Sequence, residues 1–151
     1  MSLKISQGAF KLLFVDDSEV QRQLASRSLT RLFKDQQIPL KLVEAEDGLR
    51  AWKTCEGSAN FDYYVIDYQM PHMNGVELCR RILKQGCESP ILLYTSDQVD
   101  VIQKEEGLID GKPIDEVVDV LPKDIFRLIK VIETYLKRDT VIRKFKPETE
   151  T

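Results

Sequence analysis

Five short apolar runs punctuate this chain at residues 10–15, 38–45, 63–67, 91–94 and 117–121, with room for one helix between each pair. The run at 63–67 is the sharpest. Tyr63, Tyr64, Val65 and Ile66 end abruptly in the carboxylate of Asp67, and Pro71, Asn74 and Gly75 then make a turn. A run that is apolar at nearly every position reads as a strand buried on both faces, as in parallel sheets covered by helices. Strands separated by helices are most simply parallel, with right-handed crossovers. The alternation therefore predicts a single α/β domain with helices on both faces of the sheet.

Helical periodicity fills the gaps. The first helix is expected over about 19–34, capped by Asp17 or Ser18, with Val20, Leu24, Leu29 and Leu32 as its apolar stripe. Arg22, Arg27 and Arg31 fall mostly on the other side. Asp47-Gly48 opens a second helix that reaches Cys55, and a third spans 75–84 with Val76, Leu78, Cys79 and Ile82 apolar. Gly86 and Pro90 mark its end. A short fourth helix ends near Gly107. The last helix, over about 124–137, carries Ile125, Leu128, Ile129, Ile132 and Leu136. Pro39 cannot donate to a ladder, so the second strand should lie at a sheet edge or begin after it. Residues 1–9 read as a polar arm, 10–137 as the domain, and 138–151 as a polar C-terminal helix extension or tail whose basic cluster is Arg143, Lys144 and Lys146.

Composition narrows the function classes. The chain has 151 residues, enough for one domain, and a net charge of -3 from 22 basic and 25 acidic residues. This mild acidity gives no general footprint for nucleic acid. No stretch approaches the ~20 apolar residues of a membrane helix, and residues 1–11 lack a signal-peptide run. Cys55, Cys79 and Cys87 are odd in number and form no CxxC pair, so they read as reduced, partly buried small hydrophobes. A cytoplasmic location fits.

The chemistry lies at the strand ends. Asp16-Asp17 follow the first strand, Asp67 the third, Thr95 the fourth and Lys123 the fifth. In one parallel sheet these ends share an edge, where open α/β sheets bind their ligands. If strands one and three are neighbours, three carboxylates converge and raise one another's pKa. A cation resolves the conflict, and a few oxygen ligands favour Mg²⁺. Lys123 adds a fixed positive charge and Thr95 a hydroxyl donor. Together these make a phosphoryl-acceptor site with Asp67 as the nucleophile. No phosphate-binding glycine motif is present.

Taken in order, these residues resemble the receiver domains of two-component response regulators over roughly residues 9–137. The resemblance rests on Asp16-Asp17, Glu44-Ala45-Glu46-Asp47-Gly48, Asp67 with Met70-Pro71 and Gly75, Tyr94-Thr95-Ser96, and Lys123. It implies a flavodoxin-like doubly wound five-stranded parallel sheet in the order 2-1-3-4-5 with five helices. It also implies a stand-alone signalling module rather than an enzyme. Asp67 would take a phosphoryl group from a phosphohistidine of a sensor kinase or histidine phosphotransfer protein. Asp17, Asp67 and the backbone carbonyl of Gln69 would ligate Mg²⁺, with Asp16 acting mainly through water. Lys123 would contact the phosphoryl group, and Thr95 would relay its arrival to a protein target on the face of the fourth helix and fifth strand. Dimerisation is left open; direct nucleic-acid binding and membrane insertion are not expected.

The chain departs from the family in three places. Pro122 precedes Lys123, where the family has lysine followed by proline, so the family's cis peptide is not expected. A literal Lys112-Pro113 exists, but no apolar strand leads into it. Thr95 to Lys123 spans 28 positions, longer than the family pattern, with the excess assigned to 107–115. Val120 stands where the family often has a switching aromatic. These departures keep open a non-switching, protein-binding pseudo-receiver. A haloacid-dehalogenase-type phosphatase is the third reading, disfavoured because Gln69 holds the position where its acid/base aspartate would stand. His72 reads as an exposed loop residue, Tyr63 and Tyr64 as strand packing, Trp52 as core or half-buried surface, and Lys104-Glu105-Glu106 as a solvated face.

Overall fold

The computed structural model describes residues 8–56 and 60–146. Most of the expected N-terminal arm, the loop at 57–59 and the last five residues of the extension lie outside the described residues. Five parallel strands, β1 (Phe10–Val15), β2 (Leu40–Ala45), β3 (Tyr63–Ile66), β4 (Ile91–Tyr94) and β5 (Asp119–Leu121), form one sheet in the order β2-β1-β3-β4-β5. The doubly wound order is as expected, and β2 lies at an edge beside Pro39. Register along β1–β3 pairs Val15 with Ile66, so Asp16 and Asp67 leave the sheet side by side.

Two cores flank the sheet. On one face α2 (Gly48–Cys55), α3 (Gly75–Lys84) and Ile102 of α4 (Val99–Glu106) pack on Leu13, Val15, Ile66 and Leu93. On the other, α1 (Glu19–Asp35), α6 (Ile125–Leu136) and α7 (Asp139–Phe145) cover Phe10, Leu12, Phe14, Val65 and Tyr94. Ser18, Asp47, Asn74 and Asp124 each cap a helix start with a side-chain oxygen. Cys55 and Cys79 are buried and Cys87 is half-buried; all three are free thiols. Tyr63 and Tyr64 pack inside, and Arg81 covers Trp52.

Several expectations are corrected. Seven helices are present among the described residues, not five. One addition is α5 (Ile114–Val117), a single turn that takes residue 117 out of the expected fifth strand. It follows a tight turn in which Asp110 and Gly111 both adopt positive φ and Ile109 pairs with Lys112. Ile109 and Ile114 are buried, so the extra length is folded into the core rather than looped out. The other addition is α7. Its Val141 and Phe145 are buried, and Phe145 meets Phe10 with ring centroids 5.0 Å apart. The extension is therefore amphipathic rather than simply polar. In α1 the buried face is Ala25, Leu29, Leu32 and Phe33, whereas Val20 and Leu24 are exposed. Among the described residues no peptide bond is cis and no helix is long and apolar enough to cross a membrane.

Candidate functional site

The strand ends converge as the parallel sheet requires. Asp16 continues β1 by donating its N–H to the Ala45 carbonyl at 3.1 Å, and Asp67 continues β3 by donating to Val15 at 2.9 Å. Asp16 is fixed further: its Oδ1 accepts from the Ser18 N–H at 2.9 Å, and its carbonyl accepts from Arg22 Nη1 at 2.8 Å. Asp16 and Asp67 are buried while Asp17 is exposed, yet one carboxylate oxygen from each of the three lies within 4.8 Å of the others.

Lys123 closes this cluster. Its Nζ stands 2.9 Å from Asp67 Oδ2 and 2.9 Å from Asp16 Oδ2. The contact with Asp67 is a hydrogen bond, whereas that with Asp16 is an ion pair without hydrogen-bond alignment. Burial disfavours the Asp67 carboxylate and Asp16 adds repulsion; together they outweigh Lys123 and raise its pKa. Burial also works against the Lys123 ammonium, but its two carboxylate partners win and its pKa is raised. Lys112, by contrast, sits on the exposed turn before α5.

The backbone beneath Asp67 demands glycine. A Cβ on Gly75 would stand 2.0 Å from the Asp67 carbonyl oxygen, and the Gly75 N–H donates to the Tyr68 carbonyl at 2.7 Å. The start of α3 is thus pressed against the residues that carry the site.

Thr95 is buried at the end of β4, held by an N–H bond to Leu121 at 3.0 Å. Its hydroxyl donates to Asp97 Oδ2 at 3.3 Å, and the Asp97 N–H donates back to it at 3.2 Å. Gln69 Nε2 donates to the other oxygen of Asp97 at 3.3 Å. Asp97 therefore links two expected site residues, a role the sequence reading missed. Its position two residues after Thr95 is the detectable signal, since serine and threonine hydroxyls commonly bond backbone two residues on. His72 is exposed, with positive φ. Val120 lines the groove between α4 and β5, a space of about 870 Å³ also bounded by Thr95, Asp97, Asp100, Asp119 and Val131.

Glu105 and Glu106 are not simply a solvated face. The Tyr68 hydroxyl lies 2.8 Å from Glu105 Oε1 and 2.7 Å from Glu106 Oε2, and Glu106 also accepts from Asn74 Nδ2 at 3.2 Å. No local sequence pattern announces contacts across 37 and 38 positions.

A doubly wound parallel sheet with three carboxylates and a lysine at its C-terminal edge defines a receiver-type α/β domain. The chain belongs to the response regulator receiver domain family, whose model matches residues 12–125. It is 33% identical over 90 residues to the chemotaxis protein CheY1 of Helicobacter pylori, covering 58% of this chain and 68% of that protein. It is 35% identical over 89 residues to a CheY homolog of Campylobacter jejuni, covering 58% of this chain and 65% of that one. The matched part thus spans about two thirds of these relatives' length. Among solved structures, the receiver domain of an HD domain-containing protein from Pseudomonas fluorescens matches with a TM-score of 0.66 and 25% identity, over 86% of this chain and 96% of that one. That of NarL from Mycobacterium tuberculosis gives 0.65 at 20% identity, over 86% and 98%, which is a likeness of fold.

Proposed function

We propose that this receiver accepts a phosphoryl group on Asp67 from a phosphohistidine of a sensor kinase or histidine phosphotransfer protein. The observation that carries the reading is Lys123 Nζ at 2.9 Å from both Asp16 and Asp67, with Asp17 in the same cluster. Oδ2 of Asp67 is the oxygen facing the ammonium. In the transfer a carboxylate oxygen of Asp67 forms the new O–P bond, and the donor's N–P bond breaks with its electron pair returning to the imidazole. The ammonium of Lys123 neutralises charge on the phosphoryl oxygens. The Tyr68 N–H holds the other Asp67 oxygen at 2.7 Å and fixes the carboxylate's rotation. The Thr95 hydroxyl can exchange Asp97 for a phosphoryl oxygen.

The residues fit a hard divalent cation. Three clustered carboxylates share one neighbouring ammonium, which pairs with Asp16 and Asp67, and buried Asp16 Oδ2 lacks an aligned hydrogen bond. Their all-oxygen donors suit Mg²⁺. Asp17, Asp67 and the Gln69 carbonyl would hold the ion, with Asp16 acting through water, and the ion would supply charge neutralisation at the transferring oxygens.

The donor must cover the edge where Asp67 opens. Val20 and Phe126 are exposed near the starts of α1 and α6, at that same edge, and offer it an apolar footing. Phosphorylation should be Mg²⁺-dependent, labile to hydroxylamine and absent in Asp67→Asn; retention of all label in that variant would overturn the reading. A second reading, a protein-binding module that does not switch, is favoured by Val120 and by the Thr95 hydroxyl's bond to Asp97. A beryllofluoride titration followed by amide NMR separates the two: it favours the module if shifts around Thr95 and β5 stay unchanged.

A further inference from the structure

We propose that Tyr68 is a positioning residue that ties α4 to Asp67 and transmits the state of the acceptor to that helix. The inference rests on the phosphoacceptor reading of Asp67. It assigns a route that uses neither Thr95 nor Val120.

Tyr68 touches both ends of this route. Its N–H donates to Asp67 Oδ1 at 2.7 Å. Its ring is buried, and its hydroxyl lies between Glu105 and Glu106 at the C-terminal end of α4, 2.8 and 2.7 Å away. Burial and these two carboxylates all oppose ionisation of the phenol, so it stays a neutral donor. A helix C-terminus is a poor place for two anions, because the helix dipole repels them. A phenol has one proton, which it can give to one carboxylate at a time. Glu106 has other donors: Asn74 Nδ2 at 3.2 Å, and Arg80 Nη1 at 3.6 Å as an ion pair. Arg80 also bonds the carbonyls of Glu106 and Leu108.

α4 leans on these polar ties because its own apolar anchoring is thin. Among the described residues it buries Ile102 alone, and its start at Gln98 has no side-chain cap. An element with so few apolar anchors sits at the low end of local stability. Esterification of Asp67 replaces the carboxylate that receives the Tyr68 N–H. Oδ1 becomes the neutral carbonyl oxygen of an acyl phosphate, a weaker acceptor than a carboxylate. The Tyr68 N–H bond therefore loosens, and the buried side chain carries the adjustment to Glu105 and Glu106.

The test is amide NMR of the full chain with beryllofluoride and Mg²⁺, on the wild type and on Tyr68→Phe, which keeps the backbone donor and the ring. In the wild type, shifts at 67, 68 and 95 establish the acceptor reading, and shifts across α4 accompany them. In Tyr68→Phe the site shifts persist while those of α4 fall to less than about half. Loss of a hydrogen bond to a charged group should also speed amide exchange in α4 of the free protein by about tenfold. Glu105→Ala/Glu106→Ala removes the acceptors from the other side and should give the same loss. Full α4 shifts in both variants, or a wild-type α4 that ignores the mimic while the site responds, overturns the proposal. Absence of any site response overturns it together with the acceptor reading.

Discussion

At the scale of single residues, Lys123 and Asp67 should pull stability in opposite directions. In metal-free protein the raised pKa of Asp67 lies above the ~3.9 of an unfolded aspartate. The folded state then binds that proton more tightly, so Asp67 favours folding most below the unfolded value and less as pH rises through the folded one. Asp67→Asn should therefore raise Tm at pH 7 in EDTA, with the gain vanishing below about pH 4, where an unfolded aspartate is largely protonated. A lower Tm at neutral pH would show that Lys123 already compensates the charge. Lys123→Met should cost about 3 kcal/mol at pH 7, since removing one partner of a buried pair leaves charge uncompensated. Because the folded pKa of Lys123 is raised, its contribution is present below the unfolded value of ~10.4 and lost as pH climbs through the folded one. Mg²⁺ at ten times its Kd should stabilise the wild type by about 1.4 kcal/mol and leave Asp17→Asn largely unmoved. Thermal melts with and without EDTA read each of these effects.

At the scale of elements, α3 and α1 show what periodicity can and cannot say. The α3 stripe was fully legible: Val76, Leu78, Cys79 and Ile82 are all buried. The reason Gly75 starts it was not, because the obstruction is the Asp67 carbonyl eight positions back. Gly75→Ala should cost about 1–3 kcal/mol by overpacking and weaken phosphorylation by displacing Asp67, which equilibrium unfolding and a phosphorylation assay would show together. In α1 the expected stripe is buried at Leu29 and Leu32 but not at Val20 and Leu24. Val20 and Leu24 have helical spacing but face solvent, while Ala25 and Phe33 take core positions beside Leu29 and Leu32. Val20 is thereby left exposed, with Phe126, as the apolar footing proposed for the donor. Phe126→Asp should slow transfer from a phosphohistidine protein about tenfold or more and leave acetyl phosphate labelling nearly unchanged, a contrast that transfer kinetics can resolve.

At the scale of the whole molecule, α7 alters where the folded unit ends. The apolar stripe expected for the last helix stops at Leu136, yet Phe145 and Val141 complete the core around Phe10 at the edge opposite the site. Lys144 adds an ion pair to Asp62 at 3.4 Å. Truncation after residue 137 should cost several kcal/mol, since losing a buried phenylalanine alone costs about 3–5. Denaturant unfolding of the shortened chain would show it; unchanged stability would place the boundary at 137 after all. The segment 107–118 likewise belongs to the fold. Ile109 and Ile114 fill the core under α4, and the Ile114 N–H donates to Gln103 Oε1 at 2.7 Å.

The strands and the edge that carries their ends were readable in the chain because each is written locally, whereas the strand order came only from the resemblance to receiver domains. Apolar runs mark strands buried on both faces, and a parallel sheet brings their last residues to one side. Asp16, Asp67 and Lys123 meet by that rule together with the order β2-β1-β3-β4-β5, which the family resemblance implied. Tyr68, Glu105 and Glu106 needed more. Their encounter depends on how α4 settles against α3, which is fixed by packing between segments far apart in sequence rather than by any period within them. The same holds for Phe10 under Phe145. Local pattern decides what each segment becomes and which end carries the chemistry; the closeness of two buried surfaces decides which segments can feel a change at Asp67.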